Sequence, residues 1–188
     1  PPPVLVADPD DLTGLVAQVP EAARALMEVF WPGALTLILE ADAALTWDLG
    51  ETGGTLAVRM PAHELTLNLL RRSGPLAVTS ANPTGAPPGT DAASARAAFP
   101  GRVRSVDELA PDGEAAGADW REDILLLDGG ATPGPVPSTI VTLAREHARA
   151  PRILRQGVLA LADLERVAGV ALSEGTAGAA RGRTEAGA

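Results

Sequence analysis

Apolar residues along this chain cluster with two different periods. Val4-Leu5-Val6-Ala7, Leu35 to Leu39, Thr55 to Met60, Leu76 to Val78, Ile124 to Leu127, Thr139 to Leu143 and Ile153 to Leu154 are short runs bounded by Pro, Gly or Asp, the pattern of strands. Helical spacing predicts other elements. Ala23, Leu26, Met27 and Phe30 fall at i, i+3, i+4 and i+7 behind Pro20, and Leu161, Leu164, Val167 and Ala168 make a last helix. A middle helix is expected to bury Ala62, Leu65 and Leu69 and to stop at Gly74 as its C′ glycine. The Asp8–Asp11 cluster is expected to open a helical stretch ending near Val19, and Thr90 to cap a short helix from Asp91 to Phe99. Pro100 to Asp123 reads as an acidic connection with at most a short helix around Val106 to Leu109. The mixture of strands and helices is that of an α/β protein.

The stretch from Leu76 to Pro88 is the most unusual. A short apolar run, expected to be a buried strand, breaks into Thr79-Ser80-Ala81-Asn82 and then into a loop stiffened by Pro83, Pro87 and Pro88. Ser and Asn are ordinary turn residues. They are also what open α/β sheets deliver to ligand sites at the carboxyl edges of strands. The device recurs where a Pro/Gly loop, Thr132 to Pro137, leads into Ser138-Thr139. Two strands end in arginine: Arg59 precedes Met60-Pro61, and Arg155 precedes Gln156-Gly157. Arg59 reads either as a surface residue or as a cation turned into a cleft.

Composition narrows the chemistry. The 188 residues are 46% hydrophobic, enough for one sizeable core, and one domain is the default. There is no cysteine, so thiolate chemistry and disulfides are excluded, and His63 and His147 are too far apart in sequence to suggest a metal site. All 15 basic residues are arginine, so any anion held by a cationic side chain here is held by a planar, bidentate-capable group. The net charge of −9 argues against broad nucleic-acid binding, and 3% aromatic content offers few stacking platforms. No apolar run reaches the length of a membrane span and the amino terminus shows no signal pattern, so a cytoplasmic location is expected. The Gly/Ala/Arg/Glu stretch from 171 to 188 is expected to be a disordered tail after a domain spanning 1–170.

The segments FWPGALTLIL (30–39), TLAVRMP (55–61), PLAVTSANPTG (75–85), ILLLDGG (124–130), PSTIV (137–141) and ILRQG (153–157) occur in the order and rough spacing of the YrdC/Sua5 family. The chain resembles its short, YrdC-like form over about residues 1–169. Each segment is weakly specific alone; together, in order, they are strong. The resemblance implies a twisted mixed sheet with flanking helices and a central cleft. It also implies a threonylcarbamoyl-AMP synthase, making threonylcarbamoyl-adenylate and pyrophosphate from L-threonine, bicarbonate and ATP for modification of adenosine 37 in tRNA.

By the same resemblance, Arg59 pairs with the threonine carboxylate, and Val78 and Ser138 line that subsite. Thr55, Ser80, Asn82, Pro88 and Arg155 hold ATP, accompanied by Mg2+, with no tightly bound cofactor and no catalytic side-chain base. Implied partners are the proteins that pass the threonylcarbamoyl group to tRNA. The chain departs from the family's pattern in two places. The family's basic KxR motif falls upstream of Pro1, which predicts weak ATP binding and little product from this sequence alone. Val78-Thr79 stands where Ala-Pro is common. Two other functions fit the same motifs: a YrdC-type domain of a carbamoyl-transfer enzyme, and a non-catalytic RNA-binding or regulatory module.

Overall fold

The structure is a computed structural model, described for residues 2–48, 50–106, 123–134 and 136–175. The chain divides into two compact units, one formed by Pro1–Val78 with Pro137–Ala188 and the other by Thr79–Val136.

The first unit is built on a seven-stranded mixed sheet, in the order β4-β1-β3-β2-β7-β8-β9. The strands are β1 (Val4–Leu5), β2 (Leu35–Glu40), β3 (Thr55–Arg59), β4 (Leu76–Ala77), β7 (Thr139–Thr142), β8 (Arg152–Arg155) and β9 (Ser173–Glu174). β2 runs antiparallel to β3 and parallel to β7, so the longest strands lie at the centre. Period-2 alternation sends Leu35, Leu37 and Leu39 of β2, Leu56 and Val58 of β3 and Val141 of β7 to one face, each at most 1% exposed. There they join a core with Ala23 and Leu26 of α1 (Glu21–Phe30) and Leu164 of α4 (Leu161–Ala168). Each such leucine contributes about 1.5–3 kcal/mol relative to exposure. The side chains of opposite parity, Thr36, Ile38, Thr55, Ala57 and Arg59, face away from that core and line a pocket.

Several elements differ from the sequence expectations. The segment after Asp8 is one 3-10 turn, Pro9–Leu12, rather than a helix to Val19. Asp8 caps it and Asp11 bonds back to the Asp8 amide. In α2 (Glu64–Ser73), the buried residues are Leu67 and Leu70, whereas Leu65 and Leu69 are exposed. Gly74 does end α2, at φ 78°. β4 is exposed, not buried, because it is an edge strand paired only with β1. β9 carries regular structure to Glu174, into the expected tail, and pairs with β8; residues 176–188 lie outside the described residues.

The second unit contains α3 (Ala92–Ala98) and a parallel pair of strands, β5 (Val103–Ser105) and β6 (Ile124–Leu126). The cap of α3 is Asp91, not Thr90: its carboxylate accepts from the Ser94 amide at 2.7 Å, and a capping box closes with Ser94. Of the short helix expected at Val106 to Leu109, residues 107–109 lie outside the described residues.

Candidate functional site

One pocket of about 490 Å³ opens on the sheet face opposite the core packed by α1 and α4, and its lining residues all belong to the first unit. Five of the eight residues singled out from sequence line it: Thr55, Arg59, Val78, Ser138 and Arg155. Ser80, Asn82 and Pro88 belong to the second unit and are not among its lining residues. Leu5, Ile38, Ala57 and Ile140 give the pocket an apolar floor, and Thr36 and Thr52 add hydroxyls. Sequence reading missed Thr36. The signal was the alternation in β2, which puts Thr36 on the pocket face while Leu35 and Leu37 enter the core.

Arg59 ends β3. Its Nε donates to the Gly33 carbonyl at 2.8 Å, and the Gly33 amide donates to the Met60 carbonyl at 2.8 Å, so Gly33 clamps the strand end from both sides. Only glycine fits there: a Cβ would lie 2.3 Å from the Phe30 carbonyl oxygen. The loop behind is tied by the buried Trp31, whose indole N–H donates to the Leu35 carbonyl at 2.9 Å. With Nε spent on a carbonyl, the two terminal nitrogens of Arg59 remain as a fork; among the described residues none occupies them. Burial and, to a lesser degree, the nearby Arg155 cation depress the Arg59 guanidinium below its ordinary pKa.

Arg155 is spent differently. Its Nε and Nη2 both donate to the Ser138 carbonyl, at 3.1 and 2.9 Å, and Nη2 also donates to Ser138 Oγ at 3.0 Å. Only Nη1 is left for a ligand. A β-bulge aims this side chain. Val141 pairs with Ile153, but Ile140 pairs with Arg155, so the extra residue Leu154 moves Arg155 to the pocket face. Regular pairing would have placed Leu154 there instead.

Ser138 is held from a second direction. The Thr139 hydroxyl accepts from the Gly157 and Leu159 amides, and a Cβ on Gly157 would lie 2.3 Å from the Pro137 carbonyl oxygen. Ser138 Oγ also lies 2.8 Å from Thr36 Oγ1, and both residues are buried. Thr55 Oγ1 donates to the Thr52 carbonyl at 2.8 Å. Among the described residues no carboxylate lines the pocket, and neither arginine pairs with one. The site is rich in donors and positively charged, an arrangement that takes anionic oxygens.

In the second unit, Asn82 Nδ2 donates to the carbonyls of Pro83 and Ala86, at 3.0 and 2.9 Å. Two carbonyl partners fix the amide's orientation. Its Oδ1 is buried and, among the described residues, has no hydrogen-bond partner.

Comparisons with known proteins agree on one family. Residues 1–157 match the Sua5/YciO/YrdC family model, which carries the description "Telomere recombination". A putative threonylcarbamoyl-AMP synthase of Mycobacterium tuberculosis is 37% identical over 89% of this chain and 66% of its own length. The threonylcarbamoyl-AMP synthase of Bacillus subtilis is 36% identical over 88% of this chain and 42% of its own. The crystal structure of P. abyssi Sua5 complexed with L-threonine superposes with a TM-score of 0.72 at 32% identity, covering 92% of this chain and 44% of that one. The chain therefore spans less than two thirds of the length of these relatives.

Proposed function

Because the chain belongs to the Sua5/YciO/YrdC family, we propose that it serves a threonylcarbamoyl-AMP synthase, joining L-threonine, bicarbonate and ATP into threonylcarbamoyl-adenylate with release of pyrophosphate and water. The observation that carries this reading is the unequal use of the two arginines. Arg59 keeps its terminal fork and suits a bidentate carboxylate, the group every amino acid offers. Arg155 keeps one terminal nitrogen and suits a single phosphate oxygen. Val78 and Ser138 complete the amino-acid subsite, the apolar floor receiving the side-chain methyl. L-Threonine is the ligand in the P. abyssi relative's crystal structure.

In the first unit, Thr55 and Arg155 are the proposed ATP residues. Ser80, Asn82 and Pro88, in the second unit, are assigned to ATP by the family resemblance alone. Mg2+ would travel on the phosphates, where one or two protein oxygens and several waters suffice; among the described residues no group of three or more His, Cys, Asp or Glu side chains forms a cage.

The chemistry suits donors without a side-chain base. The threonine amine and bicarbonate give a carbamate, whose oxygen attacks the α-phosphate as the bond to pyrophosphate breaks. Holding that oxygen in line and offsetting charge on the departing group are tasks for positioned cations and hydroxyls. The product would pass to proteins that transfer threonylcarbamoyl to tRNA. Pyrophosphate release, with each substrate omitted in turn, tests the reading. Release that needs all three supports it, and release indifferent to threonine rejects it.

A further inference from the structure

Thr36 was not among the residues that sequence singled out, yet it lines the pocket. Thr36 pairs with Ile140 across β2 and β7, and Ile140 pairs with Arg155 across β7 and β8. On the other side, one residue beyond the paired Leu37 and Val58 come Thr36 and Arg59. Thr36 therefore lies between the two arginines in the direction across the strands, each step being about 4.8 Å.

The hydroxyl bookkeeping at this point leaves a remainder. Thr36 and Ser138 share one hydrogen bond of 2.8 Å, and Ser138 Oγ accepts another from Arg155 Nη2. Each hydroxyl has one proton to give. If Thr36 donates to Ser138, the Ser138 proton is left over; if Ser138 donates to Thr36, the Thr36 proton is. Among the described residues no further acceptor takes it. Both residues are buried, at 4% and 7% exposure, and both line the pocket. An unspent buried donor costs stability until a ligand oxygen receives it.

We propose that the Thr36–Ser138 hydroxyl pair, midway between Arg59 and Arg155, is the bicarbonate site and then holds the carbamate oxygen formed from it. The proposal rests on the synthase reading and deepens it. In threonylcarbamoyl-adenylate the carbamoyl carbon is bonded to the threonine nitrogen and to an oxygen on the nucleotide's phosphorus. It has to form between the amino-acid and nucleotide subsites. If Arg59 holds the threonine carboxylate, only the α-carbon and the nitrogen separate that group from the carbamoyl carbon. One step across the sheet is the right scale, and the group found there is Thr36. Thr36 acts with Ser138, fixing which hydroxyl gives its proton to the ligand.

The test is steady-state pyrophosphate release on the full-length protein, with bicarbonate, L-threonine and ATP varied separately in wild type, Thr36→Val and Thr36→Ser. Thr36→Val keeps the shape and removes the hydroxyl. It is expected to raise the KM for bicarbonate about tenfold, the scale of one hydrogen bond to a charged group. The threonine and ATP values should stay within about twofold of wild type, and Thr36→Ser should restore the bicarbonate value. Unchanged bicarbonate KM, or equal rises for all three substrates, would overturn the proposal and leave Thr36 a structural residue. A second measurement does not need turnover: saturation-transfer NMR of carbon-13 bicarbonate in the presence of L-threonine. Transfer seen with wild type and lost in Thr36→Val supports the anion site even if pyrophosphate release fails, in which case only the synthase reading falls. Absence of transfer from a wild-type protein that binds threonine overturns the site itself.

Discussion

Replacing Arg59 by lysine asks whether its fork, rather than its charge, holds the ligand. Nε donates to the Gly33 carbonyl at 2.8 Å, and the terminal nitrogens are the proposed carboxylate fork. A lysine ammonium is a single point and cannot grip that carbonyl while offering two parallel bonds to a carboxylate. Arg59→Lys therefore keeps the Coulombic attraction and loses one charge-assisted hydrogen bond, about 1.5–3 kcal/mol. That corresponds to a roughly ten- to hundredfold rise in the Kd for L-threonine. Titration calorimetry of L-threonine into wild type and variant reads it directly, and a chemical-denaturation curve shows whether the variant is folded. A folded Arg59→Lys that binds threonine within about twofold of wild type would refute the bidentate argument.

Other consequences are open to measurement. Arg155→Ala is expected to weaken ATP binding more than threonine binding in calorimetry; the reverse order would reassign the two arginines. Gly157→Ala forces a Cβ to within 2.3 Å of the Pro137 carbonyl oxygen, so the Ser138 segment must move and both the denaturation midpoint and threonine affinity should fall. Leu37→Ala, at a fully buried central position, should cost about 2–5 kcal/mol in a urea titration, and a loss below about 1 would contradict the packing described. The Asp91 carboxyl is held below its ordinary pKa, first by the Ser94 side chain and then by the Ser94 amide. Its capping contribution should therefore be complete at neutral pH and be lost as pH falls through the ordinary carboxylate range to the folded value. The Ser94 amide resonance should follow that titration; a midpoint at or above the ordinary value would contradict the cap.

Much of the sheet is legible in sequence because its strands are short apolar runs cut off by Gly and Pro, and β2, β3, β7 and β8 all lie where those runs fall. The face of α2 was not legible. Leu65 and Leu69 are four apart and Leu67 and Leu70 three apart, so helical spacing admits either pair, and only packing selects Leu67 and Leu70. The burial of Leu76 depended on its place in the sheet order, which a local apolar run does not encode. β5 is three residues long, with an arginine at its centre, and gives no strand signal.

The site divides in the same way. Arg59 and Arg155 stand out as cations closing apolar strands, and the resemblance assigned them roles. Which nitrogens remain free depends on the Gly33 and Ser138 carbonyls, and the facing of Arg155 depends on a one-residue bulge. Both are products of the three-dimensional arrangement. Thr36 sits inside an apolar run, where β-propensity alone accounts for a threonine. Only the pairing of β2 with β7 brings it against Ser138.

The pocket is proposed to receive an amino-acid carboxylate on the Arg59 fork. A crystal structure of this chain with L-threonine bound tests it most directly. The carboxylate oxygens are expected within hydrogen-bond distance of the Arg59 terminal nitrogens, with the Nε bond to Gly33 intact and the amino group towards Thr36 and Ser138. Threonine bound away from this pocket, or bound in it with its carboxylate on Arg155 instead, would rule out the Arg59 fork as the carboxylate site.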